Sequence, residues 1–174
     1  MIAAIYAHKS TEQARHGLDI PALVERRNGP ISEEVTMPAR DAAVEQQLLG
    51  VWKLESMYHE LKTTGEKKYI LGAKPNGYII FTPEKRMMAL LTTEGREKPN
   101  TDEDCMAAFM SMVAYSGIYR VEGDKWTTRV DVAWNEMWTG SDQIRFFKLE
   151  GDKLTVSNPE LRDVLVWSRV KGQA

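Results

Sequence analysis

Almost every stretch after residue 48 alternates apolar and polar residues, and short turn sequences separate one stretch from the next. Alternation with a period of two places one set of side chains on each face of a β-strand. The turns Pro83–Lys85, Glu122–Asp124 and Glu150–Asp152 are so short that the strands flanking each of them must pair antiparallel. The pattern therefore restricts this part of the chain to an antiparallel, mainly β fold.

Eight strands are predicted from the alternation. Eight successive antiparallel strands close naturally into an up-and-down barrel, because closure removes the exposed edges, and such a barrel has room for one small ligand. We therefore predict an eight-stranded antiparallel up-and-down barrel over residues 46–172. The strands are placed at about 49–60, 69–82 with an interruption at 73–77, 86–92, 117–122, 125–134, 142–149, 153–157 and 163–170.

The first predicted strand carries the strongest signal for the barrel interior. Gly50 lets the backbone bend as it enters the strand, and Trp52 is expected to turn its ring into the bottom of the barrel. The alternation places Leu54, Ser56 and Tyr58 on the same face as Trp52.

One helix is predicted to interrupt the strands. Thr101 can cap it, acidic residues follow in its first turn, and apolar residues at helical spacing run from Cys105 to Val113. Gly117 is expected to end this helix. On its apolar face Cys105 is predicted to be a small buried hydrophobic residue rather than a nucleophile.

Residues 1–45 differ from the rest and are predicted to form an N-terminal appendage that is partly helical or flexible. Its last part, from Asp41 as the cap, is expected to form a helix that closes one end of the barrel. The first dozen residues are similar to the start of a serine recombinase catalytic domain. Tyr6 and Ser10 match that pattern, but His8 replaces an arginine and the remainder of such a domain is absent, so recombinase activity is not expected.

Composition excludes several classes of function. The net charge of −2 and the isoelectric point near 6.0 provide no overall basic field for nucleic acid. No apolar run approaches the roughly 20 residues of a membrane span, and no signal peptide is recognised. A single cysteine, Cys105, points to a reducing compartment, so a cytoplasmic location is predicted. The three histidines have no metal-ligand spacing, and neither a metal nor a cofactor is predicted.

Five segments of the chain, which overlap the predicted strands, resemble a known family. The Gly50-Val51-Trp52 triplet matches the Gly-x-Trp signature of the lipocalins, and Arg169 stands where that superfamily often places a basic residue across the tryptophan. More specifically, the chain resembles the bacterial and fungal lipocalin-like domain proteins. This resemblance implies a lipocalin-like barrel, and it implies function only loosely because most members lack an assigned activity. The matching segments are 49–52, 75–83, 113–119, 138–147 and 166–170.

The strand at 125–134 gives the clearest candidate for a cavity wall. Trp126, Thr128, Val130, Val132 and Trp134 are expected to face inward. Related sequences often carry histidines near Thr128, and this chain has none there, which argues against a histidine general acid or base at that place. Simple packing of these side chains is the alternative interpretation.

The next strand supplies the candidate for an anion site. Gln143 and Arg145 share one face, and a guanidinium inside the barrel would need an anion or several acceptors, since an unpaired buried charge is costly. Arg145 is therefore predicted to hold a ligand carboxylate, enolate or phenolate. The alternative, rated as about equal, is a structural ion pair with Asp131 or Glu55.

Aromatic residues complete the candidate site. Tyr78, Tyr119 and Tyr58 are predicted to offer hydroxyl groups to the cavity, although a tyrosine taken singly is more often an ordinary core residue. Trp134 and Trp138 lie where the connection between two strands should cover the barrel mouth, and they are expected to form a lid or a stacking wall.

Three functions remain open from the sequence. The first is binding of a small, largely apolar or aromatic molecule with an acidic or carbonyl group, fixed by Arg145 and a tyrosine. The second is a cofactor-free isomerase, cyclase or hydratase in which Tyr78 or Tyr119 moves a proton and Arg145 stabilises an oxyanion. The third is a structural or dimerisation module, expected if the barrel is filled by its own tryptophans. The partner predicted is a small hydrophobic or aromatic ligand, not nucleic acid or a membrane, and a homodimer stays open.

Overall fold

The computed structural model describes residues 39–61, 64–158 and 163–172. In this part of the chain two helices, nine strands and one 3₁₀ turn follow one another. They are α1 (Ala39–Leu48), β1 (Gly50–Glu60), β2 (Lys67–Tyr69), β3 (Asn76–Phe81), β4 (Arg86–Thr92), α2 (Asp102–Met110), β5 (Met112–Glu122), β6 (Lys125–Ala133), the 3₁₀ turn (Glu136–Trp138), β7 (Asp142–Glu150), β8 (Lys153–Asn158) and β9 (Asp163–Arg169). The recombinase-like start lies outside the described residues.

The sheet closes on itself as predicted. Strands β3 to β9 pair with their neighbours in chain order, β1 pairs with β3 on one side, and β9 pairs with β1 on the other. The closing pair aligns Trp52 with Arg169 and Leu54 with Trp167. The eight-stranded antiparallel barrel is thus confirmed. The short strand β2 is additional to the eight strands of the barrel. The sequence analysis did not separate it from the strand predicted at about 69–82. It pairs with the far end of β1, where Tyr58 lies opposite Tyr69.

One end of the barrel is closed by the first tryptophan and the last arginine. Trp52 is fully buried, and its Nε1 donates a hydrogen bond to the carbonyl oxygen of Leu48 at 2.9 Å. The guanidinium of Arg169 lies 4.0 Å from the centre of the Trp52 ring and donates to the carbonyl oxygens of Gln47 and Leu49. Gly50 takes a φ of +113°, which side chains rarely adopt, so the bend that aims Trp52 inward favours glycine.

Helix α1 covers the same end. Leu48 is fully buried in the core, and the buried Glu45 forms an ion pair with Lys85 in the β3–β4 turn. Asp41 was expected to cap the helix. The helix instead begins at Ala39, and the Asp41 carboxylate accepts a hydrogen bond from the backbone N–H of Gly123 in the β5–β6 turn, at 3.2 Å. Two turns of the barrel thus anchor α1.

The inserted helix is shorter than predicted. The expected cap is present, because Thr101 and Asp104 form a reciprocal capping box. The helix ends at Met110, however, and Val113 already belongs to β5, where it pairs with Leu91 of β4. Gly117 lies inside that strand and does not end the helix. Val113 and Tyr115 of β5 are buried, and the pairing of residues 112–116 with β4 decides their conformation over helical spacing.

The surface of α2 also corrects the prediction for its cysteine. No residue of α2 is buried, and Cys105 is exposed rather than packed in the core. The predicted apolar face depended on Met112 and Val113 continuing the helix. Once these two residues join the sheet, the remaining helix is too short to bury a continuous stripe.

Candidate functional site

A small cavity lies between the tryptophans of the barrel. Its volume is about 40 Å³, which has room for only a few water molecules. Most of the interior is taken up by large rings, since Trp52, Trp126 and Trp167 are at most 1% exposed. The cavity is lined by Met57, Ile79, Ala89, Leu91, Val113, Tyr115, Trp126, Trp138, Arg145, Val156, Leu165 and Trp167.

Arg145 is the positively charged residue among the described residues that line this cavity. It lies on β7 directly opposite Trp126 of β6, and its side chain is half-buried. Nη1 donates to the carbonyl oxygen of Ile144 at 2.8 Å, and Nη2 donates to Oε1 of Gln143 at 3.2 Å. Gln143 is held in turn by a hydrogen bond from its Nε2 to Oγ of Ser141 at 3.0 Å. Gln143 thus orients the guanidinium, whereas Arg145 itself lines the cavity.

The structural ion pair considered for Arg145 does not form. Asp131 is bound by Arg86 instead, through two hydrogen bonds of 3.1 and 2.7 Å. Hydrogen bonds from the Arg86 guanidinium lower the pKa of the Asp131 carboxyl group. Glu55 is exposed on β1. Among the residues that the structure describes, Arg145 makes no ion pair, and its hydrogen bonds go to neutral oxygens.

Two indole N–H groups are further hydrogen-bond donors at this cavity. Nε1 of Trp126 and Nε1 of Trp167 are buried and have no hydrogen-bond partner within the described part of the chain. Both rings line the cavity with Arg145. A buried donor without an acceptor costs about 1–3 kcal/mol. Among the described residues no carboxylate lines the cavity, so its polar character matches a group that accepts hydrogen bonds.

The cavity is covered by a stack of aromatic rings. Trp138, on the 3₁₀ turn between β6 and β7, is buried and meets Tyr115 edge to face at a centroid distance of 5.3 Å. Trp134 packs on Trp138 at 5.1 Å, and Phe109 of α2 packs on Trp134 at 6.4 Å. Trp138 thus lines the cavity, and Trp134 packs against it without being part of the lining.

Two tyrosines of the predicted site do not face the interior. A β-bulge between Leu54 and Ser56 shifts the alternation of β1, so that Met57 is buried and Tyr58 turns toward Tyr69 and Lys67. A bulge adds one residue to a strand and reverses which residues face inward after it. Tyr78 is 46% exposed on the outer face, because its neighbour Ile79 occupies the inner face of β3.

The strand β6 follows its predicted pattern only in part. Trp126, Thr128 and Val130 are buried as expected, but Val132 is 65% exposed. The register between β5 and β6 shifts at Ser116 and Gly117, and this irregularity turns the end of β6 outward.

Tyr119 and Thr128 are buried together away from the cavity lining. They pair across β5 and β6, are at most 1% exposed, and their hydroxyl oxygens have no hydrogen-bond partner among the described residues. The Tyr119 ring meets Phe81 edge to face at 5.1 Å. Burial, with a further contribution from the charge of Glu45, raises the pKa of the Tyr119 hydroxyl far above its ordinary value of 10.0.

We expect Tyr119 to weaken the fold at alkaline pH. Above pH 10 the unfolded chain releases the Tyr119 proton while the folded chain retains it, so stability falls as pH rises, by up to about 1.4 kcal/mol per pH unit. Tyr119→Phe should remove this contribution. Urea unfolding between pH 8 and about 11 compares the two proteins, and equal slopes would contradict the prediction.

Comparison with known families identifies the barrel. A model of the lipocalin-like domain matches residues 49–170. The chain belongs to the lipocalin-like domain family. The match covers β1 to β9 and includes every residue that lines the cavity. No curated protein matches the chain.

Solved structures with a similar barrel include two variants of the fluorescent protein UnaG. One is 14% identical, with a TM-score of 0.32, and the match covers 72% of this chain and 97% of that one. The other is 13% identical, with the same TM-score, and covers 73% and 99%. With identities of 13–14% and a TM-score of 0.32, the similarity to these two structures carries no information about a ligand of this lipocalin-like protein. In residues 39–61, 64–158 and 163–172, no helix is long and apolar enough to cross a membrane.

Trp167 and Tyr115 are cavity residues that the sequence interpretation did not select. Trp167 could have been found from the alternation of the last strand, because it lies two residues before Arg169 and faces inward as Trp52 does. Tyr115 precedes Gly117, where the helix was expected to end, so the sequence interpretation did not place it on a strand.

Proposed function

We propose that this lipocalin-like barrel binds a small, largely apolar or aromatic molecule that carries an acidic or carbonyl group. The observation that carries the proposal is the excess of donors at the cavity. Arg145 has no carboxylate partner among the described residues, and the indole N–H groups of Trp126 and Trp167 have no acceptor. A carboxylate, phenolate or carbonyl oxygen would supply what these three groups lack.

The size of the cavity sets a condition for binding. A volume of about 40 Å³ does not hold an aromatic acid, whereas ligand pockets usually measure about 300–1,000 Å³. Trp138 is carried by a short connection rather than by a strand, so it can move with less disturbance of the barrel than Trp126 or Trp167. We propose that a ligand displaces the Trp138 ring and takes its place against Tyr115.

The cavity favours binding over catalysis. Of the described residues that line it, only Arg145 and Tyr115 are ionisable, and neither offers a general base of ordinary strength near neutral pH. Tyr119, the predicted proton carrier of the enzymatic alternative, does not line the cavity. We also propose a cytoplasmic location, which is supported by the exposed free thiol of Cys105.

Replacing Arg145 tests the proposal directly. Aromatic carboxylates and their neutral methyl esters are titrated into the full-length protein, and binding is followed by tryptophan fluorescence and calorimetry. Arg145→Ala should weaken carboxylate binding roughly 10- to 100-fold, the equivalent of a charge-assisted hydrogen bond. The esters should lose much less, because they carry no charge.

Arg129→Ala is the matched control. This arginine lies on the neighbouring strand and is largely exposed, where it pairs with Asp142 at 3.4 Å. Its removal changes the net charge by the same amount and should leave binding unchanged. The proposal fails if the wild-type protein binds none of the acids or carbonyl compounds, or if both variants weaken binding equally.

A further inference from the structure

Strand β4 is apolar on both of its faces. Met87, Ala89 and Leu91 point into the core, yet Met88 and Leu90 on the opposite face are 50% and 44% exposed. In an antiparallel barrel whose outside meets water, the outer positions are normally polar, and strands with two apolar faces are typical of sheets that are covered on both sides. The outside of β4 therefore has the composition of a covered surface.

The neighbouring strands extend this apolar surface. Tyr78 and Ile80 of β3 lie opposite Leu90 and Met88. On the other side of β4, Leu90 lies opposite Ala114, and Met88 lies opposite Ser116, which in turn faces Val132 of β6. We call this continuous set the outer apolar face. It comprises Tyr78, Ile80, Met88, Leu90, Ala114 and Val132.

The area of the outer apolar face fits the core of a protein interface. Its four most exposed side chains are between 44% and 65% exposed, which amounts to roughly 350–400 Å² for side chains of this size. Monomers rarely expose larger continuous apolar patches. A stable interface covers about 800 Å² on each partner, with an apolar centre inside a polar rim. The outer apolar face would supply about half of that area.

The charges beside the face favour a second copy of the same chain. The rim toward the β4 and β6 side holds the ion pairs Arg86–Asp131 and Arg129–Asp142, at 2.7 and 3.4 Å. Each pair contributes one positive and one negative group, so this rim is complementary in charge to a second copy of itself. A two-fold interface brings the same patch of both subunits together and can place each arginine near an aspartate of the other copy.

We propose that the outer apolar face packs against the same face of a second copy, sheet on sheet, to form a two-fold homodimer. Two sheets pack face to face in this way at a spacing of about 10 Å. Along β4, Met88 and Leu90 lie on the proposed contact, whereas Ala89 and Leu91 line the cavity.

Sedimentation velocity of the full-length protein, from low to several hundred micromolar, tests the proposal. The wild-type chain should sediment as a dimer. Val132→Lys places a positive charge on the contact face of each copy and should raise the dimer dissociation constant by roughly 100-fold or more. Val132 is 65% exposed, so this variant should fold, which circular dichroism verifies.

Ile144→Lys is the matched control, because Ile144 is 46% exposed on β7 outside the face. It should dimerise like the wild-type chain. A wild-type monomer at the highest concentration overturns the proposal, as does a dimer that both variants weaken equally or that Val132→Lys leaves intact. Cross-links within a monomer that join residues 1–38 to the outer apolar face would assign that face to the chain's own N-terminal segment and overturn it as well.

Discussion

Replacing Trp52 with alanine should lower the free energy of unfolding by about 3–5 kcal/mol, the largest loss expected for a single residue of this protein. The ring is fully buried at the closed end of the barrel. It also joins three elements, since its Nε1 donates to Leu48 of α1 and its face carries the guanidinium of Arg169 from β9. Its loss leaves a cavity that the closed sheet cannot collapse to fill.

Trp52→Phe separates the two contributions. Phenylalanine retains a ring for packing and for the Arg169 contact but loses the hydrogen bond to Leu48, so a loss of about 1–2 kcal/mol is expected. Urea unfolding followed by circular dichroism measures both variants against Met106→Ala, whose side chain is 69% exposed and should have little effect. A Trp52→Ala loss no larger than that of Met106→Ala would contradict the assigned role.

Gly117→Ala should destabilise the barrel by about 3 kcal/mol, at the upper end of what overpacking costs. A Cβ atom at this position would lie 2.0 Å from the carbonyl oxygen of Arg129 and 2.9 Å from a methyl group of Thr128. The nearest atom belongs to the backbone of β6, so it cannot rotate aside. The two strands must separate where their register shifts between Ser116 and Gly117.

The control for this substitution is Gly172→Ala, because a Cβ atom there meets nothing within 4 Å. Thermal unfolding should show a clearly lower midpoint for Gly117→Ala and no change for Gly172→Ala. Hydrogen exchange should show faster exchange of the β5 and β6 amides in the first variant alone. Equal midpoints for the two variants would show that the strands adapt to the methyl group.

Two of the tryptophans that fill the barrel, Trp126 and Trp167, also line its cavity. Both line it together with Arg145 and have N–H groups without a partner among the described residues, and the cavity measures about 40 Å³. A structural module filled by its own tryptophans would therefore explain the small volume of the cavity. It would not explain why buried N–H groups at the cavity have no acceptor among the described residues. Native mass spectrometry of the purified protein would show directly whether an acidic or aromatic molecule is retained.

Part of the site could be predicted because it follows from local alternation. Arg145 was selected from its position beside Gln143 on a strand, and it does line the cavity. Trp126 and Trp138 were likewise placed correctly at the cavity. Tyr58 could not be placed, since the bulge after Leu54 depends on how β1 pairs with β9, which the alternation does not encode.

The sequence by itself determined the closed antiparallel barrel and the inward position of Trp52, because period-two alternation and short turns are properties of neighbouring residues. The lipocalin-like family was identified from the resemblance of five segments, not from that alternation. Only the tertiary structure decided the partner of Asp131, the start of β5 at Met112 and the volume left between the tryptophans. These depend on which side chains meet across the barrel. Such contacts join residues far apart in the chain. Side-chain packing and strand pairing decide which of these contacts form, and the alternation of neighbouring residues does not.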